Sequence, residues 1–445
     1  MASLQRGVNL ASPGARTREV GPITQTEPRL DTTAEWENAA PGERKATSRT
    51  PANGAEPPGS QRRTAGSRRA SHRCRSAIVH IGAEKTGSEA IRQLLGRNRR
   101  VLPDLGFWYP LSPGSTNHFG LALYSAPGNM PGLEAHVPAA LRNGGFDENL
   151  FAQQLKDEIT GLPAVVDTVI FSNEHCHSRV IEQRQVQRLY DLLSEHFESI
   201  TILVYLRRQD EMARSVYSTR LRFGDASFDI LPPTMLPTEP FPRYFDIEHL
   251  LDRYAAVFGK DAVKARVYER DFLENGDVVD DFLKVCGLPA WLGSKAPQPN
   301  RALSAEGLAF LALLNERSDQ DPRSSAKIRD ICLPIIENNL RGPTLLPARE
   351  EAKRFYDGFG AMNARVRASW FPERESLFSN DFSQYPETAD NSEVSRYQRA
   401  MRAALVIIDS LIEDKAAEKE RLTTPARKRM FALGQRWRQR EAVDK

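Results

Sequence analysis

The stretch that most constrains this chain is Ala77–Arg100, AIVHIGAEKTGSEAIRQLLGRNRR. Its first residues, Ala77-Ile78-Val79-His80-Ile81, are short, apolar and β-branched, the pattern of a buried strand. Gly82-Ala83-Glu84-Lys85-Thr86-Gly87 reads as a tight turn. From Ser88 onward Ile91, Leu94 and Leu95 recur at helical spacing. Strand, glycine loop and helix in that order aim free backbone N–H groups and the positive end of a helix dipole at an anion. Lys85 adds a full charge there; Thr86 and Ser88 add hydroxyl donors. Gly82 and Gly87 have the separation of the nucleotide-triphosphatase loop, G-x-x-x-x-G-K-[ST], but no lysine follows Gly87, and Lys85 precedes it by two positions. An ordinary strand-to-helix turn with a surface lysine is the plainer alternative for this stretch alone.

A second stretch has the same layout. Ile200–Leu206 is another apolar strand pattern, and it runs into Arg207-Arg208-Gln209-Asp210-Glu211, with Ser215 eight residues after Arg207. An arginine fork suits a phosphate because its donors are planar and its charge is permanent. A solvated strand end is the plainer reading of Arg207 and Arg208. Lys85-Thr86-Gly87-Ser88, K-x-G-[ST] after a strand, is similar to the 5′-phosphosulfate loop of sulfotransferases that use 3′-phosphoadenosine 5′-phosphosulfate (PAPS). Arg207 with Ser215 resembles the pair that grips the 3′-phosphate in that family.

The chain thus resembles the PAPS-dependent sulfotransferases, specifically the bacterial carbohydrate-type branch, over residues 77–385. The resemblance implies a three-layer α/β/α fold with a mainly parallel central sheet, of the P-loop nucleotidase kind. It implies direct in-line transfer of a sulfuryl group from PAPS to a hydroxyl or amine acceptor, a carbohydrate, glycoconjugate or other small molecule, without a metal. Lys85, Thr86, Gly87, Ser88, Arg207 and Ser215 would bind the cofactor, with Lys85 also catalytic. A general base is implied at the end of the Val165–Ser172 strand, in Asn173-Glu174-His175-Cys176-His177: Glu174 first, His175 second. His118 is a secondary candidate near the transferred group, and a loop histidine without chemistry is its plainer reading. A carboxylate base needs its pKa raised by burial, whereas a histidine titrates near neutrality unaided.

At 445 residues the chain is long enough for one large α/β domain with additions. A net charge of +3 excludes any global argument for nucleic-acid binding. Cys74, Cys176, Cys286 and Cys332 are scattered without a C-x-x-C pair, so neither a zinc site nor a disulfide framework is indicated. A reducing, cytoplasmic location is the simpler expectation. No apolar run reaches the ~20 residues needed to span a bilayer, and the first residues lack a hydrophobic signal core.

Residues 1–75 are rich in Arg, Ser, Thr, Pro and Gly, and too poor in large apolar side chains to offset chain entropy, so disorder is expected. Residues 76–300 alternate strands with helices and form the α/β core, the pattern of a parallel sheet covered on both faces. Within them the Pro-rich segment 225–244 reads as a lid or acceptor-binding loop, and Asp271–Cys286 as one helix. Residues 301–420 read as helices packed on the core: Ser304–Glu316, Ser324–Asn339, Pro347–Met362 and Ser395–Ala416. Residues 421–445 form a basic tail. A surface helix is its default reading, and weak contact of the basic tails with a membrane surface the lesser one.

Two residues sit badly with an anion site. Glu84 lies inside the loop, and Glu89 stands where the resemblance calls for Thr. Carboxylates there are unfavourable unless they point away or pair with a cation. A catalytically inactive anion-binding protein and a P-loop kinase are therefore the alternatives. The kinase would need Mg²⁺ held by an Asp after a second strand, where this chain has Ser172-Asn173-Glu174.

Overall fold

The computed structural model describes residues 74–128, 146–225, 229–232, 243–293, 302–316, 322–392, 395–412 and 415. Their elements, in chain order, begin with β1 (Cys74–His80), α1 (Ser88–Asn98), β2 (Phe107–Trp108), α2 (Phe119–Ser125), α3 (Glu148–Thr160) and β3 (Thr168–Ser172). Next come the single turn α4 (His175–Ser178), α5 (Gln183–Ser194), β4 (Phe197–Leu206), α6 (Gln209–Arg222), α7 (Ile247–Phe258), β5 (Val263–Val267) and α8 (Val278–Cys286). The last are α9 (Ala305–Glu316), α10 (Pro322–Asn339), α11 (Arg349–Asp357), α12 (Gly360–Trp370) and α13, residues 395–412.

The five strands form one sheet in the order β2-β3-β1-β4-β5, and every pairing is parallel. Side chains alternate between faces, as a pleated strand requires. Val79, Val169, Phe171, Ile202 and Val204 join one apolar cluster with residues of α2, α3, α5 and α7. Ile170, Leu203 and Tyr205 enter the opposite cluster with α1 and α8. A sheet buried on both faces by helices is the three-layer α/β/α arrangement. A third cluster unites α6, α9, α10 and Ile407 of α13, whereas Ala352 and Tyr356 of α11 and Met362 and Val366 of α12 join the first cluster directly.

Two element expectations are corrected. The helix expected over Asp271–Cys286 starts only at Val278, because the Asp277 side chain caps it by accepting from the N–H groups of Val279 and Asp280. The residues before it form tight 3-10 turns at Arg270–Phe272 and Glu274–Gly276. The helix expected over Pro347–Met362 is two helices, α11 and α12, divided at Gly358-Phe359. Residues 1–73, 416–445 and most of the Pro-rich segment lie outside the described residues.

Candidate functional site

β1 and β4 are neighbours, so their C-terminal ends, and the loops that follow, open side by side. Ligands in open α/β sheets bind outside the carboxyl ends of strands, where such loops converge. Gly82 and Ala83 continue the pairing with β4 through Ala83 N–H to Tyr205 O, 3.0 Å, and Tyr205 N–H to Gly82 O, 2.8 Å. The chain then leaves the sheet and turns into α1. Lys85 and Gly87 both take left-handed backbone, at φ 66° and 81°. Gly87 is required twice over: a Cβ there would sit 2.7 Å from Val278 Cγ1 as well as carrying a φ that L side chains avoid. No side chain caps α1 at Gly87, so its first N–H groups are presented as an anion-binding terminus presents them.

The two sequence signatures meet here. Arg207 Nη1 donates to the backbone carbonyl of Lys85 at 2.7 Å, across 122 residues of chain. Its guanidinium also pairs with Glu211 at 3.2 Å and lies over the Tyr268 ring, 5.4 Å from the centroid. Lys85 Nζ donates to Thr219 Oγ1 of α6 at 2.7 Å. Burial is the main influence on the ammonium and pulls its pKa down, with Glu84 opposing. Ser215 lies one turn before Thr219 on the same face, and its carbonyl accepts the Thr219 hydroxyl at 3.1 Å. Lys85 is thus linked to both Arg207 and Thr219 beside the end of β4, with Ser215 one turn before Thr219 on α6. The hydroxyls differ in availability. Ser88 Oγ is buried without a hydrogen-bond partner, a donor held back from protein partners. Thr86, fully buried, donates instead to Ala83 O at 2.6 Å, bracing the loop.

Arg208 is the neighbour that the strand-end reading did not separate from Arg207. It is a structural hub. Its guanidinium makes two bonds to Asp210, 2.8 and 2.9 Å, and donates to the carbonyls of Ser379 and Asp381, 2.9 and 2.7 Å. Phe382 stacks on it at 4.4 Å, and Tyr385 donates to Asp210 Oδ2. Arg208 therefore ties residues 379–385 to the end of β4.

Glu174 follows β3 beside the loop. Its carboxylate is ion-paired with Arg92 of α1 and lies 3.4 Å from Asn117 Nδ2. Burial favours the neutral acid, but Arg92, and after it His175, hold its pKa below the ordinary carboxylate range. His175 is stacked on Phe119, centroids 5.2 Å apart, with Nδ1 3.6 Å from Glu84 Oε1. The Glu84 carboxylate thereby enters a polar cluster. Tyr244 donates to its other oxygen at 2.8 Å. Burial works to raise the Glu84 carboxyl, yet hydrogen bonding and charge from His175, then His177 and Ser178, keep it depressed. Glu89 is exposed and accepts from Gln93 Nε2 at 3.0 Å, one turn along α1. Both carboxylates thus have polar partners within the protein.

His118 is enclosed. Its Nδ1 accepts from Ser172 N–H at 3.2 Å, so the Nε2 proton goes to Pro110 O at 3.1 Å. Burial, then Arg99, lowers its pKa to about 3. Both nitrogens are spent on backbone, which gives it the geometry of a strut joining loop to strand. Sequence reasoning missed Arg92, Asn117, Thr219, Tyr244 and Tyr268. The position of Arg92, one turn after Ser88 on α1, was the one available signal.

No protein-family model matches the chain. An uncharacterised protein of Archaeoglobus fulgidus is 25% identical over 215 residues, 45% of this chain, and the match spans 56% of that relative. The chain thus spans little more than half the length of the relative it matches. Among solved structures, a sulfotransferase from Alicyclobacillus acidocaldarius is similar at 17% identity and a TM-score of 0.34, over 57% of this chain and 96% of that one. An overlap at that score carries no weight for fold or function.

Proposed function

We propose that this chain is a PAPS-dependent sulfotransferase. The observation that carries the reading is the contact of Arg207 with the Lys85 loop at 2.7 Å. It brings a cationic loop suited to the 5′-phosphosulfate within one ligand's reach of an arginine suited to a second phosphate. In this reading Lys85, Ser88 and the first N–H groups of α1 hold the sulfuryl and 5′-phosphoryl oxygens. Arg207 and Ser215 hold the 3′-phosphate, and Thr219 aims the Lys85 ammonium.

The acceptor is a hydroxyl, with carbohydrate the substrate class that the sequence resemblance suggests. Its oxygen attacks sulfur as the bond from sulfur to the bridging phosphate oxygen breaks. The electron pair of that bond leaves with adenosine 3′,5′-bisphosphate (PAP), and Lys85 stabilises the charge. The acceptor proton passes to the base. The Arg92 ion pair lowers the proton affinity of Glu174, so we assign the base to His175, oriented by Glu84, and give Glu174 the role of fixing Arg92.

Thermal shift tests this. PAP stabilises the fold at concentrations above its dissociation constant, whereas ATP with Mg²⁺ does not. A preference for Mg²⁺–ATP would replace the reading with a kinase, and no response to any nucleotide would leave an inactive fold.

A further inference from the structure

α13 carries apolar side chains on two faces. Ala400, Ala403 and Ile407 are buried, Ile407 within the cluster of α6, α9 and α10. On the other side Tyr397, Met401, Leu405, Ile408 and Ile412 are 49 to 65% exposed. These five make one continuous stripe, unlike the scattered apolar residues of an ordinary surface. A helix apolar on both faces is one that buries both.

The spacing of the stripe says what kind of cover it takes. Met401, Leu405, Ile408 and Ile412 follow the alternating steps of four and three of a coiled-coil seam, a length of roughly 17 Å at 1.5 Å per residue. The seam is self-complementary when two copies run antiparallel. Met401 then faces the partner's Ile412, and Leu405 faces the partner's Ile408. In that register Arg402 flanks the seam opposite the partner's Asp409, and Asp409 opposite the partner's Arg402. Both are exposed. Arg402 reaches Glu306 at 3.6 Å while 58% of its side chain stays open. A parallel pair would match Arg402 with no acid along this seam. Charge complementarity therefore selects one occupant and one direction.

We infer that α13 is a self-association surface, by which two copies of this chain pair through antiparallel α13 helices about a two-fold axis between Leu405 and Ile408. The contact is smaller than the roughly 800 Å² per partner of a standard interface, so association on the order of 10 μM is expected.

Sedimentation equilibrium of the full chain, from low to high micromolar concentration, tests it. The wild type should dimerise. Leu405→Glu should be monomeric with an unchanged circular dichroism spectrum. Arg402→Asp should weaken pairing at least ~10-fold by placing like charges together, and Arg402→Asp with Asp409→Arg should restore it. A wild-type chain monomeric throughout overturns the inference, as does a dimer insensitive to Leu405→Glu. Failure of the double exchange to restore pairing overturns the antiparallel register. A monomer whose melting temperature falls in Leu405→Glu would assign the stripe to a cover from within the chain and likewise overturn it.

Discussion

The Lys85 ammonium donates to the Thr219 hydroxyl at 2.7 Å, and so joins the loop after the first strand to the helix after the fourth. A lysine stem has several free torsions, and a fixed acceptor removes most of that freedom. Lys85→Ala should abolish sulfuryl transfer, by at least ~100-fold if the lysine acts on transition-state charge, with the melting temperature nearly unchanged. Lys85 already occupies left-handed backbone, so alanine adds no new strain. Transfer at the wild-type rate would remove Lys85 from the mechanism. Thr219→Val should lower kcat more than PAP affinity, and Thr219→Ser should recover it, because only the hydroxyl aims the ammonium.

Two adjacent arginines separate binding from stability. Arg207→Ala should raise the dissociation constant of PAP by ~10- to 100-fold, the worth of a hydrogen bond to a charged group. Affinity for adenosine 5′-phosphate, which lacks the 3′-phosphate, should hold. Arg208→Ala should instead cost ~3–5 kcal/mol of folding stability, because it strands the buried Asp210 carboxylate. Calorimetric titration and urea unfolding of both variants check this. Equal effects on binding would deny Arg207 its special role.

His175→Ala should reduce kcat by ~10²–10⁴, the range for losing a general base, while PAP binding persists. Glu174→Gln should spare more activity than His175→Ala. The reverse order, measured with labelled PAPS under single-turnover conditions, would return the base to Glu174.

Acid should destabilise the fold before most carboxylates titrate. His80 and His118 are lowered to about 3 and His177 to about 4, each by burial first. The fold therefore holds them neutral, while the unfolded chain takes up their protons near 6.5. Their contribution is complete above that pH and is lost as the pH falls toward the folded-state values. The loss is ~1.4 kcal/mol per pH unit for each histidine. Urea unfolding at pH 7, 5.5 and 4.5 should show steadily falling stability, and a flat profile would show that these rings are not held neutral.

Much of this molecule can be read from local pattern. The strands around Val79, Ile170 and Val204, the helix-opening Ser88 and the glycine at 87 are dictated by short-range rules of periodicity and backbone sterics, so the parallel sheet and its first loop were legible before any coordinates. Capping is local too, yet the Asp277 cap was hidden inside what read as one long apolar helix. Tertiary structure alone decided the rest. It separated Arg207 from Arg208, identical in local sequence context, by giving one the Lys85 carbonyl and the other Asp210. It turned Glu84 toward Tyr244 and His175, closed both nitrogens of His118, and paired Glu174 with Arg92. Each of these depends on groups distant along the chain, whose meeting follows from strand order and packing. Protonation and hydrogen bonding answer to distance in space, and residue order alone does not carry that distance.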